Sequence, residues 1–152
     1  MIEDTILNVF YTQFVTYYKS HQCHWNSQGR NFYSDHKLLG KIYSFLYETV
    51  DDLAEIIRTL DIELPQTLTE IVEKSLVSDT VVYDDGDNDE RLQSIYDDLK
   101  TLVRCYRELE SVTNDIEYSQ ISNFAQDQVR NLEKFGWMLR STLSQDYKNS
   151  SY

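Results

Sequence analysis

Apolar residues recur along much of this chain at alternating steps of three and four. The clearest run is His36, Leu39, Tyr43, Leu46, Val50, Leu53, Ile57 and Leu60, one face of a helix held for about seven turns. Leu92, Ile95, Leu99, Leu102, Tyr106 and Leu109 repeat the pattern and predict a helix over 88–113. Ile121, Phe124, Gln128, Leu132, Phe135 and Leu139 predict another over 117–144. An earlier segment, 3–24, sets Ile6, Phe10, Phe14, Tyr17 and His24 on one side, among so many aromatics that its face is the least sharply drawn.

The connections suggest a topology. The first and second segments are separated only by a turn around Asn26–Asn31, where Gly29 is free to take positive φ. The third and fourth meet near Asn114–Asp115. Short links make antiparallel neighbours. Between the second and third, from Asp61 to Asn88, the chain is long enough to run back along a bundle and too long for a bare loop. Pro65 is expected to open a short helix there, because Thr67 and Glu70 have capping-box spacing ahead of Ile71 and Val72. The expectation is an all-α, ferritin-like four-helix bundle with one long crossover carrying a short helix, the whole of 1–152 forming one domain. A coiled coil fits the heptad-like spacing but not the two short links.

Composition narrows the function. Only five residues are Gly or Pro, which argues for a folded, helix-rich chain. The net charge of −12 disfavours direct contact with nucleic acid or anionic lipid, and it favours cations. Cys23 and Cys105 form no CxxC pair, so a disulfide framework or zinc ribbon is not expected and a reducing compartment is. No apolar run reaches the roughly 18 residues needed to span a bilayer. The start, MIEDTILNVF, lacks the basic residues of a signal peptide, and the expected location is cytoplasmic. The acidic stretch Asp84–Glu90 has an EF-hand look, but its glycine is misplaced and no closing glutamate follows. It reads as a solvated loop whose acids suit a helix N-terminus.

Two of the three histidines, His24 and His36, flank the first turn, and Asp51 with Glu55 form an i, i+4 pair further along the second helix. Imidazole and carboxylate together suit iron, zinc or manganese. Spacing alone leaves the ordinary alternative open: packed histidines and a solvated acid pair. If they are ligands, fifteen residues separate His36 from Asp51, or about 22 Å along a helix at roughly 1.5 Å per residue. One metal cannot span that within one chain. Two copies of the helix, antiparallel across a two-fold axis, would bring His36 of one beside Asp51 and Glu55 of the other, and would do so twice.

The residues now quoted resemble the Dps family, the starvation-induced DNA-protection mini-ferritins. His24-Trp25-Asn26, Gly29, Phe32 and His36 follow the family's His–Trp–Asn pattern. Asp51, Ala54 and Glu55 follow its carboxylate ending, with Ile56 in place of the usual arginine. LPQTLTEIVEKS is similar to its short crossover helix, and LEKFGWMLRSTL, around Trp137, to its closing helix. The similarity covers roughly 5–145. It implies a homo-oligomeric shell of twelve subunits built from two-fold dimers. In that shell ferrous iron would be oxidised, preferentially by hydrogen peroxide, and ferric iron stored, protecting the cell against oxidative damage. His24 and His36 would be metal ligands from one subunit, and Asp51 and Glu55 from its neighbour. Trp25 would lie beside the site as a sink for oxidising equivalents, or simply as an interface aromatic.

Two departures bear on activity. Family members that bind DNA often carry lysine-rich tails. This chain begins its first helix with Glu3 and Asp4 and ends in DYKNSSY, so direct DNA binding is not expected. The family also usually places a carboxylate four residues after the second histidine, and here that residue is Gly40. One iron is then expected to bind well and the second weakly. The implied ferroxidase activity would be reduced, and a Gly40→Asp variant would strengthen the second position. Asp115 and Glu117 are placed by analogy at an ion entry pore. The competing readings are a Dps-like shell that has lost efficient chemistry, and a bundle whose acidic surface binds a basic protein.

Overall fold

The computed structural model describes residues 1–80 and 88–149, with side chains to Ser144. Five helices follow in order: α1 (Ile2–Asn26), α2 (Phe32–Thr59), α3 (Leu68–Lys74), α4 (Asp89–Val112) and α5 (Ser119–Asn149). Four are long and one is short, in the expected order. The chief pairings are α1 with α2, α4 with α5, and α1 with α4, while α3 lies on α1. Phe45 on α2 meets Phe135 on α5, ring centroids 5.5 Å apart, which closes the fourth side.

The expected apolar faces of α2, α4 and α5 are the buried ones, whereas on α1 only Ile6 and Phe10 of the expected side are buried and Phe14, Tyr17 and His24 stand at its half-buried edge. Leu39, Leu46, Val50, Leu53 and Ile57 of α2 are buried, as are all six stripe positions of α4. Some details differ from the sequence expectation. On α2 the centre of the buried face is Ile42, and His36 and Tyr43 stand half-exposed at its edge. Helix α3 starts at Leu68, three residues after Pro65. Thr67 Oγ1 accepts the Glu70 N–H at 3.2 Å, as a capping box requires, but the Glu70 carboxylate bonds to Lys74 at 2.9 Å instead of returning to Thr67.

Helix α1 is buried on more than one side, since it touches α2, α3 and α4. Its interior is partly polar: Thr12, Gln13, Thr16, Lys19 and Ser20 are buried with Ile6, Val9 and Val15. Thr16 and Ser20 satisfy themselves by donating to the carbonyls of Thr12 and Thr16, each at 2.7 Å. Gln13 donates to the Leu46 carbonyl and accepts from the Tyr106 hydroxyl, so it links α1 to both α2 and α4. Lys19 meets Asp98 of α4 at 2.6 Å.

The corner between α1 and α2 is held from below. Gly29 takes φ +101°, as the turn requires. Asn88, the N-cap position of α4, accepts from the Gln28 N–H at 3.0 Å and donates to Asp35 at 3.1 Å. Asn88 itself is buried and acts as a structural joint, while Glu90 at the end of the acidic stretch is exposed. The remainder of that stretch, 84–87, lies outside the described residues. Asp89 and Glu90 occupy the first turn of α4, where acids complement the helix dipole.

Candidate metal centre

The corner clamped by Asn88 carries both candidate histidines. Their rings stack face to face, centroids 3.7 Å apart and 18° between planes. Phe32 extends the stack, 5.0 Å from His36. Nδ1 of His24 bonds to the carbonyl of His36 at 2.7 Å, and Nδ1 of His36 bonds to the carbonyl of His24 at 2.8 Å. A carbonyl oxygen only accepts, so both Nδ1 atoms carry hydrogen in these bonds. In the neutral ring Nε2 is then the lone-pair donor, and metal-binding histidines are fixed by this kind of bond on the other ring nitrogen.

Gly40 lies directly behind His24. A Cβ at position 40 would meet His24 Cε1 at 3.1 Å and Nδ1 at 3.3 Å. The missing carboxylate is thus matched by an imidazole packed into the space a side chain would fill. Around this point opens a depression of about 750 Å³, lined by His24, His36, Gly40, Lys41, Tyr43 and Glu48 among others.

Asp51 and Glu55 are exposed on α2, beyond Glu48 and away from the histidines. Glu55 borders a separate depression of about 400 Å³ with Ala54, Arg58 and Leu64. Among the described residues no group of three or more His, Cys, Asp or Glu side chains is placed to hold a metal within one chain. So the structure brings together His24 and His36, and leaves Asp51 and Glu55 as a separate, outward-facing pair.

Sequence reasoning passed over the third histidine. His21 stacks on Tyr43 at 3.8 Å and 8° between planes, and Trp25 lies against its ring at 4.0 Å. Its Nδ1 is 3.0 Å from the Tyr17 hydroxyl. Burial, and after it His24, holds the His21 imidazole below its ordinary range, which favours the neutral ring. Burial and the neighbouring Tyr47, Tyr43 and Tyr18 push the Tyr17 phenol up. Trp25 is otherwise 58% exposed. The signal available in sequence was the i, i+4 spacing of Tyr17, His21 and Trp25, which sets all three on one strip of α1.

Residues 7–148 match the profile of the ferritin-like domain. A relative from Helicobacter pylori, named DNA protection during starvation protein, is 32% identical over 131 residues, covering 86% of this chain and 90% of its own. The Dps protein of Vibrio cholerae, described as a member of a broad superfamily of ferritin-like diiron-carboxylate proteins, superposes with a TM-score of 0.85. It has 25% identity over 93% of this chain and 88% of its own. Dps from Listeria monocytogenes superposes with a TM-score of 0.87 over 94% of this chain and 93% of its own, and at 21% identity it speaks for the fold alone.

Proposed function

This chain belongs to the ferritin-like family and, within it, to the Dps proteins, and from that premise we propose that it binds and oxidises ferrous iron and stores ferric iron, so protecting against oxidative damage. The observation that carries the reading is the reciprocal clamp of His24 and His36, which aligns two imidazoles with both Nε2 atoms free beside an open depression.

The iron, as substrate, would be held by His24 and His36 of one subunit and by Asp51 and Glu55 of the partner subunit. The reading is supported by the separation of the two pairs along one rigid helix, each with its own open depression. Two α2 helices crossing antiparallel would overlay one pair on the other. Carboxylates stabilise ferric over ferrous iron and so assist electron loss. Hydrogen peroxide is the proposed oxidant, and a twelve-subunit shell of two-fold dimers the proposed assembly. Trp25, against His21, would serve as a sink for oxidising equivalents. Asp115 and Glu117, both exposed at the α4–α5 turn, would serve as acids at an ion entry.

Direct DNA binding is not part of this reading. The chain carries −12, and the cationic groove between α4 and α5 already holds acids: Lys100 lies 3.7 Å from Asp97, and Arg107 pairs with Glu133. Among the described residues no helix is long and apolar enough to cross a membrane, and we place the protein in the cytoplasm.

Gly40 favours a second reading, a shell of the same build with slow iron chemistry, because it withholds a carboxylate from the second iron position. One experiment separates them. Metal-free protein is titrated anaerobically with ferrous iron, then given peroxide, and ferric absorbance and particle mass are followed. Oxidation faster than in buffer, in a large assembly, is expected. A large assembly that oxidises iron no faster than buffer supports the second reading, and a stable monomer contradicts both.

A further inference from the structure

The chain has twelve tyrosines, and three of them, Tyr17, Tyr43 and Tyr47, form one ring cluster with the histidines. His24 meets Tyr43 edge-on at 5.0 Å. Tyr43 stacks on His21 at 3.8 Å, and the far side of the same cluster continues from Tyr17 to Tyr47 at 5.2 Å. From His24 to Tyr17 the rings follow one another without an aliphatic gap. Hydrophobic packing alone would not need a base against the hydroxyl of the last ring, yet His21 is there. Among the described residues Tyr17 is the one tyrosine whose hydroxyl meets an imidazole, with 3.0 Å between Oη and Nδ1. A phenol that loses an electron becomes a strong acid, so it is oxidised readily only where a base can take its proton. At 3.0 Å that transfer is within hydrogen-bond reach.

We propose that Tyr17, with His21 as its proton acceptor and Tyr43 as the ring between, is a one-electron donor to the iron site. The inference rests on the ferroxidase reading above. Reduction of peroxide takes two electrons, and Gly40 leaves the second iron position poor in ligands. The bound ferrous ion gives one electron and becomes ferric. Tyr17 gives the other and becomes a neutral phenoxyl radical, while its proton passes to Nδ1 of His21. The O–O bond breaks and, with two protons from solvent, the oxygens leave as two waters. A later ferrous ion returns an electron to Tyr17, His21 gives back the proton, and that iron too becomes ferric. The cycle then balances as two ferrous ions oxidised per peroxide, with one well-held iron at a time. Trp25, on the other face of His21, is a neighbouring source of the same electron.

Two arms test this. In the first, ferrous-loaded protein is mixed with peroxide, frozen within the turnover time and examined by electron paramagnetic resonance, with ferric absorbance read on the same samples. A tyrosyl radical is expected, lost for the most part in Tyr17→Phe and also in His21→Phe, which keeps the stacked ring but removes the base. In the second arm no metal is present. Azidyl radicals oxidise Trp25 in a Trp137→Phe background, and the hole is expected to pass from Trp25 to a tyrosine in a phase that Tyr17→Phe removes. Absent iron oxidation would count against the ferroxidase reading and leave the second arm to judge the relay. Normal iron oxidation with radical yield and hole transfer unchanged in correctly assembled Tyr17→Phe and His21→Phe variants would overturn the inference.

Discussion

The Gly40 α-carbon backs onto the imidazole of His24, so closely that a Cβ would stand 3.1 Å from Cε1. That ring cannot simply retreat. His36 stacks on it at 3.7 Å, and its Nδ1 is tied to a backbone carbonyl. Glycine in mid-helix costs roughly 1 kcal/mol relative to alanine, and the position of His24 accounts for its presence.

Substitution at Gly40 therefore does two things at once. Gly40→Ala should change folding stability by less than about 1 kcal/mol, propensity being offset by overlap with His24, and should weaken the first iron. Gly40→Asp suffers the same overlap but adds a carboxylate. It should hold a second iron more tightly than Gly40→Ala, with the first iron weaker than in the unaltered protein. Calorimetric titration of the three proteins decides the matter. An Asp variant with no gain at the second position over Ala would remove the ligand role inferred for a side chain there.

Lys19 and Asp98 form a pair whose side chains are 3% and 11% exposed. Burial pushes the Asp98 carboxyl above its usual range even though Lys19 acts the other way. Lys19→Met should cost about 3–5 kcal/mol, since it strands a buried carboxylate. Lys19→Met with Asp98→Leu should recover most of that loss. Urea unfolding of the single and double variants measures both. A double variant no more stable than the single would show that the pair acts through something other than charge burial.

The same pair shows why α1 was the hardest helix to read. A stripe of apolar residues is interrupted there, because five of the eleven buried positions of α1 are polar ones that bond along α1 or reach α2 and α4. Helices α2, α4 and α5 each bury a narrower face, so their stripes were legible. The separation of His36 from Asp51 was legible too, because helical rise alone sets it. The clamp between His24 and His36 was not. It depends on the angle of the α1–α2 corner, and that angle depends on Asn88, sixty residues away from Gln28. Nor could spacing reveal that Gly40 makes room for His24, since that is a contact between two helices.

Burial pushes the Cys23 thiol up to about 11 from a usual 9.0, and it raises Cys105 and Tyr106 as well. Each group stays protonated in the folded chain at a pH where the unfolded chain has begun to ionise. The stability tied to Cys23 is thus fully present below pH 9 and is lost as pH rises towards 11. Unfolding midpoints should fall steeply across that window, and both thiols should resist alkylation in the native protein at neutral pH. Labelling of Cys23 at the rate of the unfolded chain would contradict its buried position.

Shared ligation makes a prediction that ligation within one chain does not. His36→Ala leaves Asp51 and Glu55 intact, and Asp51→Ala leaves both histidines. Each variant alone should lose most peroxide-driven iron oxidation, because every site in its shell is damaged. In a mixed dimer the two substitutions can fall on the same site, and the other site is then whole. Shells reassembled from equal amounts of the two chains should recover part of the activity, and mixing should be verified by native mass measurement. The clamp also limits what His36→Ala removes. The carbonyl of residue 36 remains, so His24 keeps its own bond, and circular dichroism should show the helices unchanged. Verified mixed shells with no recovery would mean that the histidines and the acids do not meet across the two-fold axis, and the ligand assignment would fall with the interface.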